Sequence, residues 1–177
     1  MAQPPPGVQV LLEGNKRFIE SRDLQDIKQH VSGQTPRFAV LCCSDSRVSP
    51  EIIFDADIGE LFVVRVAGNV TPDPTVLASL EYAVHHLEVE YIVVMGHSGC
   101  GAVKAALDGA VGNTFDEIRA CACECSCGDD VVCSNIKRQM DMLPSRSSII
   151  NSALEAKKLY IVGMSYNLEN GTVEEIC

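Results

Sequence analysis

Arg37-Phe38-Ala39-Val40-Leu41-Cys42 followed by Cys43-Ser44-Asp45-Ser46-Arg47 decides how this chain is read. A short apolar run that breaks into serine and aspartate has the pattern of a buried strand ending in a loop. Tyr91-Ile92-Val93-Val94-Met95, followed by Gly96 and His97-Ser98-Gly99-Cys100, repeats that pattern. If the two strands are parallel neighbours, both loops open at the carboxyl edge of the sheet, where open α/β sheets bind ligands. Cys43, His97 and Cys100 then converge as two thiolates and one imidazole, a set used at catalytic zinc sites that keep a fourth position open. The competing reading makes Cys43 and Cys100 small buried hydrophobes, a common fate of free cysteine. His97-x-x-Cys100 alone would leave that reading ahead. The second motif, Cys-x-Asp-x-Arg at another strand end, turns it toward metal.

Working outward, Gly33-Gln34-Thr35-Pro36 is a turn that delivers the chain into the first strand. Ser49-Pro50 reads as a helix start, an N-cap followed by proline at the first helical position. Phe62 to Val66 reads as a further strand and Thr75 to Leu87 as a helix with apolar residues at helical spacing. Its terminal His85 and His86 suit a helix carboxyl end, and neither they nor His30 has a partner motif. A helix is expected from Gly101 to Leu107, another from Ser145 to Ala156, and a strand from Lys158 to Met164. Asn170-Gly171 is expected to turn a hairpin into Thr172-Val173. Strands alternating with helices predict an α/β fold: a largely parallel central sheet flanked by helices, with an antiparallel edge strand.

A length of 177 residues fits one domain, 1–177. With 46% hydrophobic and 21% charged residues, the chain has the composition of a globular protein. Its formal net charge of −10 argues against nucleic acid or anionic membranes as partners. No apolar run approaches the ~20 residues of a membrane span, and Met1 to Pro6 lacks the features of a signal peptide. A cytoplasmic location is the expectation. There, nine cysteines are metal-binding, catalytic or buried rather than disulfide-bonded.

The two motifs together resemble the β-class carbonic anhydrase family, whose C-x-D-x-R pattern stands here as Cys43, Asp45 and Arg47, and whose H-x-x-C pattern stands as His97 and Cys100. The resemblance runs from about Gly33 to Leu107 and resumes from Asn135 to Val173. It implies reversible hydration of carbon dioxide to bicarbonate and a proton by zinc-bound hydroxide, with one Zn2+ per chain on Cys43, His97 and Cys100. Asp45 and Arg47 become the family's dyad: the guanidinium holds the carboxylate, which orients the nucleophile. In some members that pair breaks and the aspartate closes the site on zinc.

Gln34 matches the glutamine that hydrogen-bonds substrate in plant-type members, and a side-chain amide has two donors for a developing carbonate oxygen. Phe62 and Tyr82 are assigned to an apolar pocket wall contributed across a dimer interface. The amphipathic helix from Val8 to Ser21, within an arm of residues 1–30, is read as reaching across a neighbouring subunit. The expected assembly is a homodimer or a dimer-based oligomer. Two other functions fit the same residues: a hydrolase of carbonyl sulfide or carbon disulfide on the same zinc, and a non-enzymatic bicarbonate sensor or metal-binding module.

The resemblance fails across residues 108–134, where Cys121-Ala122-Cys123-Glu124-Cys125-Ser126-Cys127 and Cys133 fall. Exposed free thiols are the expectation there, with a second soft metal and disulfides as the alternatives.

Overall fold

In the computed structural model, which describes residues 6–124 and 131–176 (side chains 7–122 and 131–176), five strands make one sheet. They are β1 (Phe38–Cys42), β2 (Leu61–Arg65), β3 (Tyr91–His97), β4 (Tyr160–Tyr166) and β5 (Val173–Ile176), in spatial order β2-β1-β3-β4-β5. The first four are parallel and β5 is antiparallel at the edge. Its largely parallel α/β architecture is the one expected from the sequence.

Two compact units divide the chain, Met1–Gln34 and Thr35–Cys177. The first carries α1 (Pro6–Glu20) and the short α2 (Leu24–Lys28). Asp23 caps α2, accepting from the Gln25 N–H at 2.9 Å. Val10 and Leu11 of α1 are exposed.

In the second unit, β1 and β3 are central and buried on both faces, which explains their uninterrupted apolar composition. Successive side chains alternate between faces. Ala39, Leu41, Ile92 and Val94 join a large core with Leu80, Ile118, Ile136, Leu143 and Ile150. Val40, Cys42, Val93 and Met95 join a smaller one with Val48. Each fully buried leucine or isoleucine contributes about 1.5–3 kcal/mol relative to exposure, so the large face dominates stability. Its helices are α4 (Pro74–His86), α5 (Gly101–Leu107), α6 (Asn113–Glu124), α7 (Val131–Arg146) and α8 (Ser148–Glu155), while α3 (Pro50–Ile53) is a single turn after the first motif. None of the described helices is long and apolar enough to cross a membrane.

Close packing of α7 on β3 and β4 depends on two glycines. A Cβ at Gly96 would lie 2.8 Å from Ile136 Cδ1 and 2.9 Å from Val132 Cγ1, and one at Gly163 would lie 2.6 Å from Met140 Sδ.

One local expectation needs correction and two are refined. The helix expected from Ser145 to Ala156 is broken at Ser147, whose Oγ accepts from the Ile150 N–H at 3.2 Å and starts α8 as an N-cap. Ser49 is the N-cap of α3 with Pro50 at its start, as expected, but its side chain caps no backbone N–H; the hydroxyl donates to Glu51 at 3.2 Å instead. Asn170-Gly171 does turn the antiparallel β4–β5 hairpin, as expected, within a longer connection of residues 167–172. Asn170 Oδ1 accepts from the Thr172 N–H at 3.0 Å, and Gly171 follows with φ of 75°.

Candidate active site

Adjacent parallel strands bring the two motifs together. Cys42 stands opposite Met95 in the β1–β3 register, so both chains leave the sheet at the same carboxyl edge. Cys43 is the first residue past β1, His97 the last of β3, and Cys100 the N-cap of α5. Gly99, at φ of 61°, makes the bend between them.

The Cys43 and Cys100 Sγ atoms are 3.9 Å apart, and with a His97 ring nitrogen they all lie within 4.8 Å of one another. All three residues are buried. Two sulfurs on one tetrahedral zinc at about 2.3 Å would be about 3.8 Å apart, so the sulfur pair has the spacing the ion needs. His97 Nδ1 lies 2.9 Å from the Ser98 carbonyl. A carbonyl can only accept, so Nδ1 carries the proton and Nε2 offers its lone pair. That Nε2 is buried without a hydrogen-bond partner. An orphaned imidazole nitrogen beside two thiols fits a metal-ligand set, and it is the only such cluster of three or more among the described residues.

The electrostatics agree with that fit. Cys43 is drawn down, first by the bond from Cys100, against the opposing effect of burial. Cys100 is pushed up by Cys43 and by burial, so the two thiols share one proton. The Gly68 N–H donates to Cys43 Sγ at 3.3 Å, and the Ala102 and Val103 amides favour the thiolate at Cys100. Burial lowers His97, but the Cys43 sulfur and the Ser98 carbonyl outweigh it and the net direction is up. Cys42 belongs to the smaller core, and burial pushes its thiol up to about 12. It is an inert neighbour.

Beside this cluster, Arg47 holds Asp45 with two parallel bonds, Nε to Oδ1 at 3.0 Å and Nη2 to Oδ2 at 2.7 Å. The Arg47 backbone N–H adds a third at 3.0 Å. The Arg47 side chain, then its amide, hold the Asp45 carboxyl well below the usual carboxylate range. Asp45 Oδ2 is 3.9 Å from His97 Nε2.

One contributor to the site was missed by sequence reasoning. Arg65 ends β2 opposite Cys42, and its guanidinium donates to the Cys43 carbonyl at 3.2 Å and the Asp45 carbonyl at 2.7 Å. It clamps the loop that carries both residues. The available signal was a single cation closing an otherwise apolar strand.

Phe62 and Tyr82 lie together, with ring centroids 6.1 Å apart, but not with the sulfurs. Phe62 pairs with Ala39, four residues before Cys43 and roughly 13 Å away along the strand. Tyr82 is 46% exposed, as a residue facing another subunit would be in an isolated chain. Gln34 closes the other unit and is exposed. His85 and His86 end α4 and are exposed.

The expectation of exposed thiols at the Cys-rich stretch fails at Cys121. It is 1% exposed on α6, and its single S–H is shared between two acceptors, the Glu117 carbonyl at 3.3 Å and Asn135 Oδ1 at 3.4 Å. Helical periodicity turns that position inward onto α7. Cys133, on α7, is partly buried. The side chains of Cys123, Cys125 and Cys127 lie outside the described residues.

The carbonic anhydrase family model matches residues 38–173. A carbonic anhydrase 2 of Mycobacterium tuberculosis is 39% identical, over 95% of this chain and 90% of that protein. A Coccomyxa β-carbonic anhydrase crystallised with acetazolamide superposes with a TM-score of 0.86, at 28% identity, over 97% of this chain and 87% of that one. One of two tetrameric β-carbonic anhydrases from Sordaria macrospora gives a TM-score of 0.84 at 25% identity, over 97% of this chain and 98% of that one.

Proposed function

This chain belongs to the β-class carbonic anhydrase family, and from that premise we propose that it hydrates carbon dioxide to bicarbonate and a proton at a zinc site formed by Cys43, His97 and Cys100. One observation carries this reading: two thiols and an unpartnered imidazole nitrogen within 4.8 Å of one another, all buried at the carboxyl edge of the sheet. Bound there, zinc supplies Lewis acidity that makes water a nucleophile near neutral pH.

The remaining work falls to the chain itself. Asp45 is kept ionised by the Arg47 fork, so it is an acceptor with no proton to give. Its Oδ2, 3.9 Å from His97 Nε2, accepts the O–H of the attacking water and aims the oxygen lone pair at the carbon of carbon dioxide. As the new C–O bond forms, one C=O electron pair moves onto the substrate oxygen and the displaced proton leaves to solvent. Gln34 supplies amide donors to that developing charge. Arg65 keeps the Cys43–Asp45 loop in register through its two carbonyl contacts.

The site is completed by a second copy of the chain. Phe62 and Tyr82 lie away from their own Cys43, and they provide the apolar approach to the partner's metal. Their partial exposure in the single chain supports that arrangement, and α1 embraces the neighbouring subunit with its apolar side.

Stripping the protein with a strong chelator and restoring zinc tests the reading. Hydration should vanish with the metal and return with one equivalent of zinc. Undiminished hydration by the metal-free chain would overturn it.

A further inference from the structure

Three buried polar residues, Thr71, Gln139 and Asn135, form a hydrogen-bonded chain of fixed direction that leads to the Cys43–His97–Cys100 cluster. Thr71 donates through both its N–H (3.0 Å) and its hydroxyl (2.7 Å) to Gln139 Oε1. Gln139 Nε2 donates to Asn135 Oδ1 at 3.3 Å, which also receives the Cys121 thiol. Asn135 Nδ2 donates to the Gly68 carbonyl at 2.8 Å. Asn135 and Gln139 are 1% and 0% exposed. Since Oδ1 accepts from the Gln139 amide, whose own orientation is fixed by Thr71, the Asn135 amide cannot flip, and its NH2 must face Gly68.

Gly68 is where this chain meets the metal cluster, because its own N–H points at Cys43 Sγ from 3.3 Å. The peptide there is unusual. Gly68 sits at φ of 72° inside a 3-10 turn, Ala67–Asn69, and a Cβ would strike Ile118 Cδ1 at 2.6 Å. A glycine at such a position has no side chain to anchor it and needs support from outside. Asn135, 67 residues away on α7, is that support.

We infer that Asn135 is a positioning residue for the zinc site: by holding the Gly68 carbonyl, it aims the Gly68 N–H at the Cys43 sulfur. The inference rests on Cys43, His97 and Cys100 holding the metal. Physically, a donor to a thiolate lowers the energy of its lone pairs and preorganises the ligand, and outer-shell contacts of this kind typically alter metal affinity by about 10–100-fold.

The test uses full-length protein loaded with cobalt(II), read by its thiolate-to-metal charge-transfer band, alongside zinc affinity by competition with a chromophoric chelator. In Asn135→Leu the band should move to longer wavelength, because a thiolate without its donor gives up an electron more easily, and zinc should bind about tenfold more weakly or worse. Ser147→Ala removes a buried cap elsewhere on the same helical layer and should lower the melting temperature without moving the band. If Asn135→Leu melts earlier yet keeps the wild-type band and zinc affinity, Asn135 is only structural and the inference fails. Should the leucine variant not fold, Asn135→Ser, too short to reach Gly68, carries the same prediction.

Cadmium-loaded wild-type protein gives a reading that needs no variant. The Gly68 amide proton should show scalar coupling to the metal through the Cys43 sulfur, and its absence overturns the contact. A wild-type protein that binds cobalt with no thiolate band overturns the metal site itself, and the inference with it.

Discussion

Arg47 meets Asp45 fork to carboxylate, at 3.0 and 2.7 Å, and the same Asp45 Oδ2 lies 3.9 Å from His97 Nε2. A carboxylate held this way beside a ligand nitrogen is an acceptor poised over the reacting position. Asp45→Asn should therefore keep zinc near one equivalent and lose most hydration activity, because ligation survives while the charged, Arg47-held acceptor that orients the attacking O–H does not. Arg47→Lys should also keep zinc and lose turnover, since an ammonium cannot form the two parallel bonds. Stopped-flow hydration with metal analysis on the same preparations decides it. Full turnover in Asp45→Asn would remove the carboxylate from the mechanism.

The engagement of Asp45 by Arg47 also speaks to the resting state. With the carboxylate paired to guanidinium, a zinc held by Cys43, His97 and Cys100 would have its fourth position left to an exogenous ligand at neutral pH. A crystal structure of the zinc-loaded protein near pH 7.5 should retain the pair. An Asp45 oxygen on zinc at about 2.0–2.2 Å would show a closed site instead.

Assembly follows from the separation of Phe62 and Tyr82 from the sulfurs of their own chain. The smallest active species should be a dimer. Sedimentation under assay conditions should find no active monomer, and Tyr82→Ala should impair hydration while the zinc content of the chain stays unchanged. An active monomer would contradict this.

How far the sequence could be read is clearest at particular residues. β1 and β3 were legible because strands buried on both faces must be apolar throughout, and the motif residues directly follow or end them. Arg65 was not legible, because its task depends on the β1–β2 register that sets it opposite Cys42. Asn135 and Gln139 belong to no motif in the sequence, since their partners Gly68 and Thr71 lie far away in the chain. Cys121 was misplaced for a related reason. A stretch where the family resemblance fails reads as an inserted surface connection, whereas α6 packs on α7 and turns Cys121 into the core.

For the Cys-rich stretch we expect no second metal. Replacing Cys123, Cys125 and Cys127 together with serine should leave one zinc per chain and unchanged hydration. Two equivalents in the wild type, with one lost in the triple variant, would assign a second site to that segment. Cys121 is kept out of this test because its burial makes it part of the packing.

X-ray absorption at the zinc edge of the wild-type protein tests the central claim most directly. The account predicts two sulfur ligands at about 2.3 Å, one imidazole nitrogen at about 2.0–2.1 Å and one further light atom. A shell of three or four sulfurs, or one with no sulfur, would contradict it.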